Sequence, residues 1–180
     1  MRLKILFLNK MKTKNKSSLI IIRGPLGVGK STISKLLAQE IDAEYYSIDK
    51  ILEENGLDRG DNAFTPEDFI KANKIILKEV KKHLNKKTVI IDGNFYFKEA
   101  IEHLEKEIKN TMVFTLKAKL ETCIKRDKAR KISYGEQAAK EVHALTSKVN
   151  HGIDIDAENK TKDQIIEELK SIIKRLCLKS

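Results

Sequence analysis

Short apolar runs alternate along the chain with longer segments in which apolar residues recur every three or four positions. Runs of the first kind are typical of buried strands, and the second pattern is typical of helices with one buried face. The alternation predicts strands at 19–22, 43–48, 88–91, 111–116 and 153–155, and helices at 32–40, 66–84, 98–108, 120–131, 136–150 and from 161 onward.

Five short strands that alternate with helices predict a parallel sheet with helices on both faces. Right-handed crossovers between the strands make this a doubly wound α/β fold. At 180 residues the chain is long enough for one such domain, which we expect to cover residues 17–180. In this fold class, ligands bind beyond the carboxyl ends of the strands, so residues that follow the strands are the first candidates for a site.

One segment between the first strand and the first helix matches G-x-x-x-x-G-K-[ST], the phosphate-binding loop: Gly24-Pro25-Leu26-Gly27-Val28-Gly29-Lys30-Ser31. Its glycines allow the backbone to point successive N–H groups at phosphate oxygens, and the helix that begins near Thr32 adds partial positive charge. Lys30 would reach the β- and γ-phosphates, and the Ser31 hydroxyl would ligate Mg²⁺. From this motif we expect ATP and Mg²⁺ to bind along residues 24–32. The alternative is a plain glycine turn without a ligand.

A phosphate loop is shared by GTPases, motor ATPases and small kinases. A GTPase reads guanine with Asn-Lys-x-Asp, and none of the Asn-Lys pairs at 9, 15, 73, 85 and 159 has an Asp two residues after its Lys. The chain is also too short for a multi-domain motor. The small kinases remain.

Carboxylates follow the second and third predicted strands, at Asp49 and in Asp92-Gly93-Asn94. Asp49 is placed to accept the proton of an attacking hydroxyl, although it could also serve as the N-cap of a helix at 50–54. Asp92 is expected to hold the Mg²⁺ water shell or a substrate hydroxyl, with Gly93 and Asn94 beside the substrate. The alternative for this second segment is a turn, for which Asp-Gly is common.

Three arginines are candidates for binding anions. Arg126 and Arg130 are four residues apart in the predicted helix 120–131 and would share one face of it. On a lid at about 126–137 they would close over the triphosphate and exclude water; the alternative is a solvated basic face. Arg59 is the candidate for binding an anionic substrate. The equal alternative is that Arg59 is an exposed residue of a turn.

With these motifs the sequence resembles the small P-loop kinases of the nucleoside-monophosphate-kinase type, which include shikimate, gluconate and adenylylsulfate kinases and the kinase domain of polynucleotide kinase. The resemblance covers residues 19–178. It implies that Arg126 packs against adenine, that Arg130 contacts the phosphates and that residues 156–160 border the base. Shikimate kinases carry paired acids after strand two and a Gly-Gly-Gly run after strand three. Here Asp49-Lys50 and Asp92-Gly93-Asn94 stand instead, so shikimate is in doubt as the acceptor.

The net charge of +10 is concentrated at the start of the chain, where residues 1–16 contribute +6 and hold no acid. A basic tail of this kind is usually a solvated arm and sometimes a nucleic-acid contact. The two cysteines, Cys123 and Cys177, have neither metal-type nor disulfide-framework spacing, which favours the cytoplasm. No apolar run approaches the length of a membrane span.

The sequence thus predicts an ATP-dependent phosphotransferase that moves the γ-phosphoryl group to a hydroxyl of a small anionic acceptor, with Lys30, Asp49 and Arg130 as catalytic residues. One alternative is a kinase for the 5′-hydroxyl of a nucleic acid or nucleotide, assisted by the basic tail. A second is an ATP-binding regulator without transfer chemistry.

Overall fold

The computed structural model describes residues 17–58 and 64–178, so the basic tail and Arg59 lie outside the described residues. The described elements alternate between strand and helix almost throughout. In chain order they are β1 (Leu19–Arg23), α1 (Lys30–Glu40), β2 (Glu44–Ser47), α2 (Ile48–Glu54), α3 (Pro66–Leu84), β3 (Val89–Gly93), α4 (Lys98–Glu107), β4 (Thr111–Lys117), α5 (Leu120–Lys128), α6 (Glu136–Ser147), β5 (Ile153–Asp156) and α7 (Lys162–Cys177).

The five strands form one sheet in the order β2-β3-β1-β4-β5, and every neighbouring pair is parallel. This confirms the predicted doubly wound fold. β1 lies at the centre, and its last residue, Arg23, is in register with Gly93 of β3 and Thr115 of β4. The carboxyl ends of three strands therefore meet where the chain enters the glycine loop.

Each face of the sheet has its own apolar core. On one face Leu19 and Ile21 pack with residues of α2, α3 and α4, including Phe69 and Leu104. On the other face Ile20 and Ile22 pack with residues of α1, α5 and α7. The alternation of consecutive β1 residues between the two cores is the period of two that a strand imposes on its side chains.

Most element boundaries agree with the sequence prediction. Helix α3 begins and ends as predicted, and Thr65 caps it in a reciprocal capping box with Asp68. The predicted helix 120–131 is too long, because α5 ends at Lys128 and Arg130 lies beyond it. The helical segment α2 begins directly after β2, so Asp49 lies inside its first turn. Within the described ranges, no helix has both the length and the apolar character needed to span a membrane.

Arg23 is a fully buried cation at the end of β1. Its guanidinium donates to Thr115 Oγ1 at 3.1 Å and to three backbone carbonyls: Val149 O at 2.9 Å, Thr146 O at 2.9 Å and Phe95 O at 3.4 Å. Burial lowers the pKa of Arg23 to about 10, against the opposing effect of the Asp154 carboxylate. Arg23 thereby ties β1 to β4, to the loop after β3 and to the end of α6.

We expect Arg23→Met to lower the free energy of unfolding by about 3 kcal/mol, because three buried carbonyls lose a charged donor. Urea unfolding followed by circular dichroism measures this. Arg175→Met, at an exposed position of α7, serves as the control and should change stability by no more than about 0.5 kcal/mol. Equal stability of the two variants would show that Arg23 does not hold these segments together.

Candidate active site

The glycine loop enters α1 through a left-handed residue. Gly29 is the N-cap with φ 105° and ψ 13°, and no side chain caps the helix. Gly27 also has positive φ, and a Cβ atom there would lie 2.1 Å from the carbonyl oxygen of Cys123 in α5. Ser31 and Thr32 are exposed in the first turn of α1. The loop thus presents a helix N-terminus and two hydroxyls on one side while α5 packs against it on the other.

Lys30 is buried beneath the loop, with only 7% of its surface exposed. Its ammonium donates to Pro25 O at 3.0 Å and to Asn94 Oδ1 at 2.7 Å. Burial lowers the pKa of Lys30, and the nearby carboxylates of Asp49 and Asp92 act in the opposite direction. The ammonium therefore lies between the phosphate loop and the two acids that the sequence singled out.

Asp49 is a partly buried carboxylate close to Lys30. The N-cap of α2 is Ser47, so the alternative role of Asp49 as a helix cap is wrong. Its Oδ1 accepts the backbone N–H of Asn94 at 3.2 Å. Burial raises the pKa of Asp49 to about 6, although the Lys30 charge and the Asn94 N–H both lower it. A carboxylate of this kind is ionised at neutral pH and still basic enough to take a proton.

Asp92 and Gly93 are the last two residues of β3 and are not part of a turn. Asp92 is 1% exposed; its Oδ1 accepts the Tyr45 hydroxyl at 3.1 Å, whereas its buried Oδ2 has no hydrogen-bond partner among the described residues. A Cβ atom on Gly93 would lie 2.0 Å from Cγ2 of Ile48. The space above Gly93 on the Cβ side is thus taken by α2, so helix packing requires this glycine. The expected approach of substrate to its backbone stays a prediction.

Asn94 connects the two halves of the site. Its side-chain oxygen accepts from Lys30, its side-chain nitrogen donates to the Tyr96 hydroxyl at 3.0 Å, and its backbone N–H donates to Asp49. The next residue, Phe95, is fully buried and has a left-handed φ of 45°. This turn is uncommon for an aromatic residue and directs the chain so that Asn94 makes all three contacts.

Arg126 and Arg130 line one cavity of about 460 Å³ beside the loop, together with Gly27, Val28, Gly29, Thr32, Ile33, Ala129, Ala157, Lys160, Lys162 and Ile165. The guanidinium of Arg126 donates to Val28 O at 3.3 Å and to Ala157 O at 3.0 Å. The segment after β5 therefore borders the cavity, in the region that the resemblance assigned to the base. The two arginines share the cavity although Arg130 lies beyond the end of the helix.

Asp127 explains why α5 ends before Arg130. Its buried Oδ2 accepts from the Ser133 hydroxyl at 2.7 Å, the Tyr134 N–H at 3.0 Å and the Gly135 N–H at 3.1 Å, which turns the chain back toward α6. Its Oδ1 lies 3.6 Å from Nη1 of the exposed Arg130. The carboxylate thus stabilises the loop between α5 and α6 and holds Arg130 at its start.

Mg²⁺ fits the donors at the loop. The described residues contain no cluster of three or more His, Cys, Asp or Glu side chains that could hold a metal by themselves. Mg²⁺ usually takes one or two protein oxygens and completes its shell with water and phosphate oxygens. The exposed Ser31 hydroxyl and Oδ2 of Asp92, which has no partner in the described ranges, are suitable oxygens for such a shell.

Two tyrosines of the site were missed in the sequence analysis. Tyr45 contacts Asp92, and Tyr96 contacts Asn94. The only available signal for Tyr45 was the strand period, since Tyr45 and Ser47 lie on one face of β2 and pair with Ile90 and Asp92 of β3. Tyr96 follows the Asp-Gly-Asn segment by two residues, but its contact depends on the left-handed Phe95.

Comparisons with known proteins bear on the family and the fold of the chain. Residues 20–146 match a protein-family model described as an AAA domain. A curated relative from Thermococcus kodakarensis named "Putative adenylate kinase" is 29% identical, and the match spans 87% of this chain and 86% of the relative. A shikimate kinase from a Sulfurihydrogenibium species is 26% identical over 87% of this chain and 98% of its own.

Among solved structures, a gluconokinase from Sinorhizobium meliloti superposes with a TM-score of 0.71 at 13% identity, covering 91% of this chain and 95% of that chain. At this identity the likeness shows a shared fold. Together with the curated relatives, it confirms the predicted resemblance to the small P-loop kinases.

The raised pKa of Asp49 predicts a stability effect with a defined sign. Between about pH 4 and 6 the folded chain binds this proton more tightly than the unfolded chain, so stability is lost as pH rises through 6. Asp49→Asn should therefore be more stable than the wild type by about 2 kcal/mol at pH 8 and show no gain at pH 4. Urea titrations at both pH values measure this. The exposed Asp42→Asn is the control, and a loss of stability at pH 8 in Asp49→Asn would contradict the prediction.

Proposed function

The chain belongs to the AAA-domain family matched by residues 20–146, and we propose that it is a kinase that moves the γ-phosphoryl group of ATP to a hydroxyl of a small anionic acceptor. One observation carries this proposal: Asn94 bonds both the Lys30 ammonium, at 2.7 Å, and the Asp49 carboxylate, at 3.2 Å. A candidate phosphate-binding cation and a candidate general base thus both hydrogen-bond to one residue. The curated relatives named as kinases support the same reaction class.

The triphosphate would bind along residues 24–32. The N–H groups that start α1 would contact phosphate oxygens, and Lys30 would exchange its contact with Asn94 for the β- and γ-phosphates. Arg130, exposed at the start of the loop after α5, would add a second cation to the transferring group. Adenine would occupy the 460 Å³ cavity, against Arg126 and the apolar side chains of Ile33 and Ile165.

Ser31 and Asp92 would hold Mg²⁺, directly or through its water shell. When bound, the ion neutralises charge on the β- and γ-phosphates. Asp92 suits this role because its Oδ2 is buried and unpartnered among the described residues, and a buried carboxylate oxygen of that kind is stabilised by a cation.

Asp49 would accept the proton of the attacking hydroxyl. Burial raises its pKa to about 6, which keeps it basic, and the neighbouring Lys30 charge favours the ionised form at neutral pH. The ring of Tyr96 and the side chain of Asn94 would form the adjoining wall of the acceptor pocket.

The anionic character of the acceptor depends on Arg59. The groups described around Asp49 include a further carboxylate, Asp58, which also raises the pKa of Asp49. An anionic acceptor bound beside two carboxylates requires a compensating cation, and Arg59 follows Asp58 directly in the sequence. A neutral acceptor, such as a sugar, would not require that arginine.

A screen with [γ-³²P]ATP and Mg²⁺ over sugars, sugar acids, nucleosides, nucleoside monophosphates, shikimate-like acids and 5′-hydroxyl oligonucleotides tests the proposal. We expect label to appear in one small acceptor, and Lys30→Ala to abolish its transfer because the phosphates lose their buried cation. Lys174→Ala, at an exposed position of α7, should retain wild-type activity. Thermal unfolding of both variants confirms that the fold is intact.

Two other results of the screen would indicate a different function. Label in oligonucleotides alone, falling steeply with salt and with removal of residues 1–16, would identify a nucleic-acid kinase. Stabilisation by ATP without any labelled product would identify a nucleotide-binding regulator.

The pH dependence of turnover tests the general base. We expect kcat to fall about tenfold per pH unit below pH 6, because the reaction needs ionised Asp49. Asp49→Asn should reduce kcat by at least about a hundredfold, with little change in the Kd of ATP. The acid limb is measured by the initial rate from pH 4.5 to 8.5. Wild-type turnover in Asp49→Asn would exclude Asp49 as the base.

A further inference from the structure

Tyr45 is a half-buried residue at the edge of the site, and no part of the proposed reaction uses it. It lies in β2 on the same side of the sheet as Ser47, two residues before the position that pairs with Asp92. Its ring packs against the core formed with α1, and Lys35 Nζ of α1 lies 5.6 Å from the ring centroid. The ring is therefore held between the edge strand and the first turns of α1.

The Tyr45 hydroxyl is directed to the end of the sheet, where it donates to Asp92 Oδ1 at 3.1 Å. An ionised carboxylate only accepts hydrogen bonds, so the phenol must supply the proton of this contact. A tyrosine phenol is protonated at neutral pH, so this donor is present there.

The same hydroxyl also faces the loop. The hydroxyls of Ser31 and Ser47 lie close to the phenol and interact with it. Tyr45 is consequently the side chain that touches Asp92 and adjoins Ser31, the two residues assigned to Mg²⁺. Its contact uses one oxygen of Asp92 and leaves Oδ2, which is buried and has no partner in the described part of the chain.

We propose that Tyr45 is a positioning residue for magnesium, which holds Asp92 by Oδ1 so that Oδ2 is presented to the ion beside Ser31. This inference rests on the proposed function, since it assumes that a Mg²⁺–nucleotide complex binds at the loop. Without the phenol, the Asp92 carboxylate loses the only hydrogen bond that the described residues give it, so its orientation is less restricted. Removal of a residue that hydrogen-bonds a metal ligand commonly lowers metal affinity by about tenfold or more.

Tyr45→Phe is the direct test, and Tyr46→Phe is its matched control. Tyr46 is the next residue of β2 and points to the opposite core, where its ring lies 6.3 Å from the ring of His83. Calorimetry measures ADP affinity in EDTA and across a Mg²⁺ titration. It distinguishes nucleotide binding at the loop from the contribution of the metal and does not depend on turnover. Thermal unfolding of the variants without ligand accompanies it.

In Tyr45→Phe we expect ADP binding in EDTA to match the wild type and the Mg²⁺ concentration for half-maximal enhancement to rise about tenfold. Tyr46→Phe should match the wild type in both measurements. If Tyr45→Phe responds to Mg²⁺ as the wild type does, or loses ADP affinity equally with and without Mg²⁺, Tyr45 does not position the metal.

The outcome for the wild type separates this inference from the proposed function. If wild-type protein binds ADP but gains nothing from Mg²⁺, the magnesium assignment fails and the role of Tyr45 fails with it. If wild-type protein binds no ADP, the proposed kinase function itself is overturned. A normal wild-type response with an unchanged Tyr45→Phe rejects the role of Tyr45 alone.

Discussion

The buried ammonium of Lys30 is the constraint on which the arrangement of the site depends. A cation removed from water is stable only when acceptors and opposite charges surround it. Pro25 O and Asn94 Oδ1 accept its protons, and Asp49 and Asp92 balance its charge. Burial raises the pKa of Asp49 to about 6, against the opposing effects of the Lys30 charge and the Asn94 N–H. Cation, candidate base and candidate metal ligand are thus parts of one electrostatic unit. A substrate phosphate would enter it by taking the place of Asn94 Oδ1 as the acceptor of the Lys30 hydrogen bond.

The parallel sheet places the parts of this unit within reach of one another. The central strand β1 leads into the loop, while its neighbour β3 ends at Asp92 and Gly93 in the same register. Arg23 then joins the segments that leave this edge, because it bonds the carbonyls of Phe95, Thr146 and Val149 together. A second buried cation therefore maintains the loop that carries Asn94. Both cations reduce the freedom of the site in the absence of ligand, which lowers the entropy lost on binding.

The features predicted correctly from the sequence are those that local chemistry decides. The glycine loop, the bounds of helix α3 and the period of the strands each depend on residues close together in the chain, so the fold and the position of the candidate phosphate site follow from them. The periodicity of residues 120–131 predicts a helix that includes Arg130. The helix ends earlier because Asp127 accepts hydrogen bonds from the N–H groups of Tyr134 and Gly135, which the periodicity does not reveal. The packing of Ile48 on Gly93 could not be predicted for a similar reason, since Ile48 belongs to another element. The contacts of Tyr45 and Tyr96 are likewise tertiary, and they appear only when strands and loops distant in sequence are brought together.

A single-turnover reaction of enzyme in excess over [γ-³²P]ATP, with Mg²⁺ and the acceptor found by screening, shows whether Lys30 and Asp49 belong to a phosphoryl-transfer site. The quantity measured is the division of label between phosphorylated acceptor and inorganic phosphate. If Lys30, Asp49 and the adjoining pocket form a transfer site, the label passes to the acceptor, with little free phosphate. Label that remains on ATP, or appears only as inorganic phosphate whatever the acceptor, would contradict this account.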